Sequence, residues 1–226
     1  MILSEPMHPG IQSCSVLSPQ QLAAIKAYTS CQFTDINRCL RGQSTDMKKV
    51  AEYINNINSI FDLIQPTFVE SSLDFVLYRG MYFDGMQNYK AGDIIENKGY
   101  VSTSSTSLIS QRFMKNDKAK PAAPFCCLLE IRFFGNKSYK ILKICQDSHH
   151  SDEDEYLLPS GCKFEIFKKE VVDSMFSSYT KYIAYYVPPA EGPGSLAGGA
   201  LNNKKKNKST FTVAKGVRIK LQKLGA

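Results

Sequence analysis

No pair of cysteines is spaced as CxxC in this chain. Its seven cysteines, at positions 14, 31, 39, 126, 127, 145 and 162, form no even framework. A structural zinc site is therefore not expected, and scattered reduced thiols fit an odd count better than a disulfide scaffold. No apolar run approaches the roughly 18 residues of a membrane span. The first residues, Met1 to Pro6, lack a basic segment and an apolar segment of the signal-peptide kind, so any export is expected to proceed without an ordinary cleaved signal. Neither GxGxxG nor GxxxxGK[ST] occurs, which argues against a Rossmann or P-loop nucleotide site. Tryptophan is absent as well, yet 43% of the 226 residues are hydrophobic, enough for one sizeable core.

Charge is unevenly placed. The formal balance is +7, but residues 1–190 hold 20 basic and 20 acidic side chains, whereas 191–226 hold 8 and 1. Attraction to an acidic surface, an anionic membrane or nucleic acid thus belongs to the C-terminal tail and not to the body of the chain. The segment from Glu191 to Gly199, rich in Gly, Pro and Ser, reads as a linker to that tail. Three regions are expected: a loose leader over 1–17, one domain over 18–190, and a linker with a basic tail over 191–226.

Within the domain, Ser18 as N-cap, Pro19 at the first helical position and Gln21 at the third announce a helix. Its expected face carries Leu22, Ile25 and Thr29. Further helices are expected over 34–41 and 46–64, the latter striped by Val50, Ile54, Ile57, Phe61 and Ile64. After Pro66 the pattern turns to β-branched and aromatic runs at 75–82, 99–102, 125–134, 139–144, 163–172 and 179–187. Helices followed by strands predict an α+β domain with an antiparallel or mixed sheet.

Three short segments carry chemistry. Arg79-Gly80 lies in a predicted strand, where a guanidinium suits a pyrophosphate and glycine lets a ligand approach the backbone. Ser102-Thr103-Ser104 offers hydroxyls to a carboxylate or a ribose. Glu153 and Glu155, two apart in a chain read as extended, are expected to face one cleft, with Asp152 and Asp154 facing away. Taken singly, these are a surface arginine, a turn and a solvated acidic loop. A rival for the last segment is a metal cluster of His149, His150, Asp152, Glu153 and Glu155.

Together and in this order the segments resemble the arginine, Ser-Thr-Ser and Glu-x-Glu motifs of mono-ADP-ribosyltransferases of the cholera-toxin-like branch. The segments Ala24 to Thr29 and Ile36 to Gly42 resemble that family's opening helices, and Leu157-Leu158-Pro159-Ser160-Gly161 its segment after the catalytic glutamate, so the likeness spans 18–187. It implies N-terminal helices packed on two perpendicular, mainly antiparallel sheets that form an NAD cleft. It further implies that Arg79 binds the NAD phosphates, Gly80 meets the nicotinamide amide, and Ser102 orients Glu155, with Thr103 and Ser104 in support. Glu155 would contact the nicotinamide ribose and Glu153 the acceptor. His150 stands where relatives often carry an aromatic, in a loop expected to read the protein substrate. A glutamate at 153 implies an arginine acceptor on a protein target.

The resemblance implies no metal, and NAD as co-substrate. A monomeric toxin or delivered effector is expected, with a cytoplasmic enzyme as the alternative. NAD hydrolysis by the same site, a non-catalytic module that binds NAD or a partner, and nucleic-acid modification through the tail remain the other readings. Phe113 is open between packing on nicotinamide and lying in the core.

Overall fold

The computed structural model describes residues 17–43, 47–71, 75–82, 86–114, 126–144, 154–173 and 178–188. Ser18 caps α1 (Pro19–Ala27) as the sequence predicts: its Oγ accepts from the Gln21 backbone N–H while the Gln21 side chain accepts from the Ser18 N–H. The buried side is Gln21, Ala24 and Ile25, with Leu22 only half-buried, because Gln21 turns inward and donates to Ser59 Oγ at 2.9 Å. A buried amide is tolerated there because both of its ends find partners.

The chain then passes through a π-helical turn (Tyr28–Gln32) into α2 (Phe33–Leu40). Ser30 leaves the helical region at this turn, with φ −94° and ψ −113°. Helix α3 (Met47–Leu63) follows, and its predicted stripe is the observed one: Val50, Ile54, Ile57, Phe61 and Ile64 are all buried.

Ten strands complete the described fold: β1 (Thr67–Val69), β2 (Val76–Tyr82), β3 (Ile94–Asn97), β4 (Val101–Ser104), β5 (Cys126–Arg132), β6 (Lys137–Tyr139), β7 (Leu142–Lys143), β8 (Glu155–Leu158), β9 (Cys162–Asp173) and β10 (Ser178–Val187). Between β4 and β5 lies a short helix, α4 (Ser107–Arg112). The run predicted as one strand over 139–144 is divided between β6, which pairs with β1, and β7, which pairs with β8.

The main ladder runs β3-β9-β10-β5-β2-β4-β8-β7, antiparallel except between β10 and β5. Its two parts, β3-β9-β10-β5-β2 and β4-β8-β7, share one residue pair, Tyr78 with Ser104. They behave as two sheets hinged at that pair. Alternation along β8 shows what each face covers. Tyr156 and Leu158 join the core with Leu129, Ile131, Phe164 and Tyr182, whereas Leu157 joins Ile25, Ile36, Ile57 and Tyr100 under the helices. All four residues of β8 are buried in consequence.

Among the described residues Cys31, Cys39, Cys126, Cys127 and Cys162 form no disulfide. No helix among the described residues is long and apolar enough to cross a membrane.

Candidate active site at the hinge between two sheets

Where β2 and β4 part company, a cleft opens with a volume of about 240 Å³. Strands supply Arg79 and Gly80 from β2, Ser102, Thr103 and Ser104 from β4, and Glu155 from β8; the helical side supplies Tyr28, Ser30, Phe33 and Asn37, and α4 supplies Ser110. Residues 76 positions apart in sequence thus meet because the hinge brings the middle of β2 beside the first residue of β8.

Arg79 spans the hinge. Its Nη1 donates to the backbone carbonyl of Ser102 at 2.5 Å. Burial pushes the guanidinium below its ordinary range; the Tyr28 hydroxyl and the Glu155 carboxylate pull it back, and the like charge of Arg41 adds to the depression. Tyr28 is pushed up to about 12, chiefly by burial, with Arg79 and a hydrogen bond from Asn37 opposing and Glu155 adding. The mutual influence of Arg79, Tyr28 and Glu155 places one cation, one phenol and one carboxylate in a single low-dielectric cluster.

Register decides which hydroxyl faces the carboxylate. Glu155 pairs directly with Ser104, and Ser102 pairs with Leu157. Ser102, Ser104, Glu155 and Leu157 therefore share the face turned to the helices, with Ser102 the diagonal neighbour of Glu155. Thr103 lies on the alternate side and donates through Oγ1 to the Tyr156 carbonyl at 2.7 Å, tying β4 to β8. Glu155, Ser104 and Thr103 are all buried.

Gly80 was expected to leave its backbone open to a ligand, and it does line the cleft. The space above its Cα is nevertheless taken by α4, since a Cβ there would lie 1.7 Å from the Ser110 carbonyl oxygen. Its missing side chain serves helix packing, reinforced by Ser110 Oγ donating to the Tyr78 carbonyl at 2.9 Å. The acidic segment enters the site at its last two residues. Asp154 has φ +42°, so the chain is not extended at this residue, yet Asp154 stands off the cleft that Glu155 lines. Its carboxylate instead accepts from Ser105 Oγ and pairs with Lys143 Nζ at 3.0 Å.

Phe113 is 54% exposed and lines the cleft, as does Phe33 at 48%, so Phe113 is not a core residue. Glu153, His149, His150 and Asp152 lie outside the described residues. Among the described residues no three His, Cys, Asp or Glu side chains are grouped to hold a metal ion.

The helical wall was not singled out from sequence. Asn37 Nδ2 donates to Tyr28 Oη at 3.2 Å and its Oδ1 accepts from the Tyr100 N–H at 2.9 Å. This buried amide docks α2 onto the start of β4. The signal available was an asparagine amid the apolar positions of a short helix, a buried polar group that demands partners. Gly99 answers to the same contact, because a Cβ there would meet Asn37 Oδ1 at 2.6 Å.

Comparison with known proteins agrees with this arrangement. The sequence matches the ADP-ribosyltransferase exoenzyme family over residues 11–185. It is 24% identical over 159 residues to the NAD(+)–arginine ADP-ribosyltransferase EFV of Enterococcus faecalis, covering 70% of this chain and 30% of that protein. The chain spans 30% or less of the length of the curated relatives it matches. In fold it is similar to Plx2a, an ADP-ribosyltransferase toxin from Paenibacillus larvae, with a TM-score of 0.59 at 20% identity over 76% of this chain and 88% of that one. The ADP-ribosyltransferase Vis from Vibrio splendidus, solved in complex with agmatine, gives 0.55 at 19% identity over 76% of both chains. With more than half of its length matched, the chain belongs to the ADP-ribosyltransferase exoenzyme family.

Proposed function

We propose that this chain transfers ADP-ribose from NAD to an arginine side chain of a protein, releasing nicotinamide. The observation that carries the reading is the convergence of Arg79, Ser102 and Glu155 on one cleft at the hinge between the sheets. A cleft of about 240 Å³ is smaller than the roughly 300–1,000 Å³ that engulf a drug-sized ligand. On this reading the cleft receives the nicotinamide riboside end of NAD, and the adenosine end extends beyond it.

The like charge of Arg41 disfavours the Arg79 cation, and a pyrophosphate beside Arg79 relieves that penalty. Rupture of the bond between the ribose C1′ and nicotinamide sends the electron pair with nicotinamide and leaves positive charge on the ribose. A buried carboxylate at Glu155 stabilises that charge more in the transition state than in the ground state. A guanidino nitrogen of the acceptor then bonds to C1′ and gives up a proton, for which Glu153 is the assigned base. Ser104 and Ser102 line the face of β4 that Glu155 shares and hold it towards the ribose. Phe33 and Phe113 offer exposed rings at the same cleft.

The arginine assignment draws on the Glu-x-Glu pair, on the name of the Enterococcus relative and on the agmatine bound to Vis. Incubation with labelled NAD and cell lysate, followed by mass spectrometry of the labelled peptides, tests it. Label on arginine is expected. Label confined to another residue type, or free ADP-ribose as the sole product with lysate and with agmatine, would overturn it.

A further inference from the structure

Asp154 is the residue on which three strands converge. One carboxylate oxygen pairs with Lys143 Nζ, at the end of β7, at 3.0 Å. The other accepts from Ser105 Oγ, just after β4. Those are the two strands that flank β8, and β8 begins at the next residue, Glu155. The clasp is strengthened from Lys143, whose ammonium also lies over the Tyr156 ring, 5.4 Å from its centroid. The backbone closes the same corner, with the Ile144 N–H donating to the Glu155 carbonyl at 2.9 Å.

The backbone at Asp154 is in the left-handed region, φ +42°, which an L side chain occupies at a cost. Lys143 and Asp154 are each about one-third exposed, so their ion pair is screened and contributes little to global stability. A costly conformation held by a pair of small stabilising value, beside the buried carboxylate of the cleft, is accounted for by what it fixes locally.

We propose that Asp154 is a positioning residue, which staples β7 and the end of β4 to the start of β8 and so sets the direction in which Glu155 leaves the backbone. This rests on the transferase reading for its effect on rate, but its geometric content stands apart from it. Misplacement of a reacting group by about 1 Å costs up to roughly a hundredfold in rate.

The discriminating variant is Asp154→Gly. It removes the carboxylate and relieves the left-handed backbone, so a purely structural role predicts a melting temperature held or raised and an unchanged rate. The staple predicts a kcat for NAD cleavage lower by about ten- to a hundredfold, with KM for NAD within about twofold. Lys143→Met should lower kcat in the same direction, and Lys143→Arg should restore it. Glu155→Gln, measured in parallel, reports on the transferase reading by itself.

Hydrogen exchange at the Ile144 amide supplies an arm independent of catalysis, and should quicken by about tenfold in Asp154→Gly while the amides of β5 stay protected. An Asp154→Gly protein with the wild-type exchange rate at Ile144 overturns the proposal whether or not the chain cleaves NAD. So does wild-type kcat in that variant when Glu155→Gln is inactive.

Discussion

Arg79 donates to the backbone carbonyl of Ser102 across the one residue pair, Tyr78 with Ser104, that joins the two sheets. This contact makes the arginine both a part of the hinge and a wall of the cleft. In the proposed role of clamp for the NAD phosphates, Arg79 would act equally in the ground and transition states. Arg79→Ala is therefore expected to weaken NAD binding more than it slows the chemistry of bound NAD. Calorimetric titration checks this, and unchanged affinity in a folded variant would remove Arg79 from the site.

Gly80 gives a prediction about packing. A methyl group 1.7 Å from the Ser110 carbonyl oxygen cannot be accommodated without moving α4. Gly80→Ala should cost about 1–3 kcal/mol, as overpacking does, and should lower NAD affinity as well, because Ser110 and Phe113 line the cleft. Thermal melting with NAD titration measures both. A variant as stable as the parent would show that α4 gives way freely.

The third prediction concerns pH. Glu130 is buried in β5 and pairs with Arg132 at 2.6 Å and Lys181 at 2.5 Å. Burial by itself would raise its pKa, but the hydrogen bonds and charges of these two cations hold it below the ordinary 4.5. A carboxylate depressed on folding contributes stability that is full above its unfolded pKa and is lost as pH falls through the folded value. Stability should thus fall as pH drops below about 4.5, and Glu130→Gln should flatten that part of the profile. Equal acid slopes in the two proteins would exclude Glu130 as a source.

The fourth prediction treats residues 18–190 as a folding unit separate from the basic tail. Strand β10 completes its pairing with β9 at Val187, so a chain ended at Ala190 should keep its melting temperature and NAD affinity. Salt-sensitive attachment to acidic surfaces should go with the tail. Loss of folding or NAD binding in the shortened chain would contradict this division.

Much of this architecture is legible in sequence because period and capping are local. The Ser18 box, the α3 stripe and the long strands β5, β9 and β10 follow from patterns within a few residues. Strands of two to four residues, such as β1 and β7, carry too few positions to show alternation, so the division of 139–144 between two sheets escapes notice. Arg79, Ser102 and Glu155 were recognised through motifs and do meet in one cleft. Asn37 and Tyr28 were overlooked as site residues because their partners, at Tyr100 and Arg79, are distant in sequence. The left-handed backbone at Asp154 is not legible because alternation presumes an extended chain, although Asp154 does stand off the cleft that Glu155 lines.

The central claim is that Glu155, buried opposite Ser104 on the shared face of β4 and β8, drives cleavage of NAD. The most direct test follows nicotinamide release by the wild-type chain and by Glu155→Gln at saturating NAD, with agmatine as acceptor. The account predicts release and ADP-ribosyl-agmatine from the wild type. It also predicts a rate about a hundred- to a thousandfold lower in a Glu155→Gln variant that still folds and binds NAD. Wild-type turnover in Glu155→Gln, or no nicotinamide release by the folded wild-type chain, would contradict it.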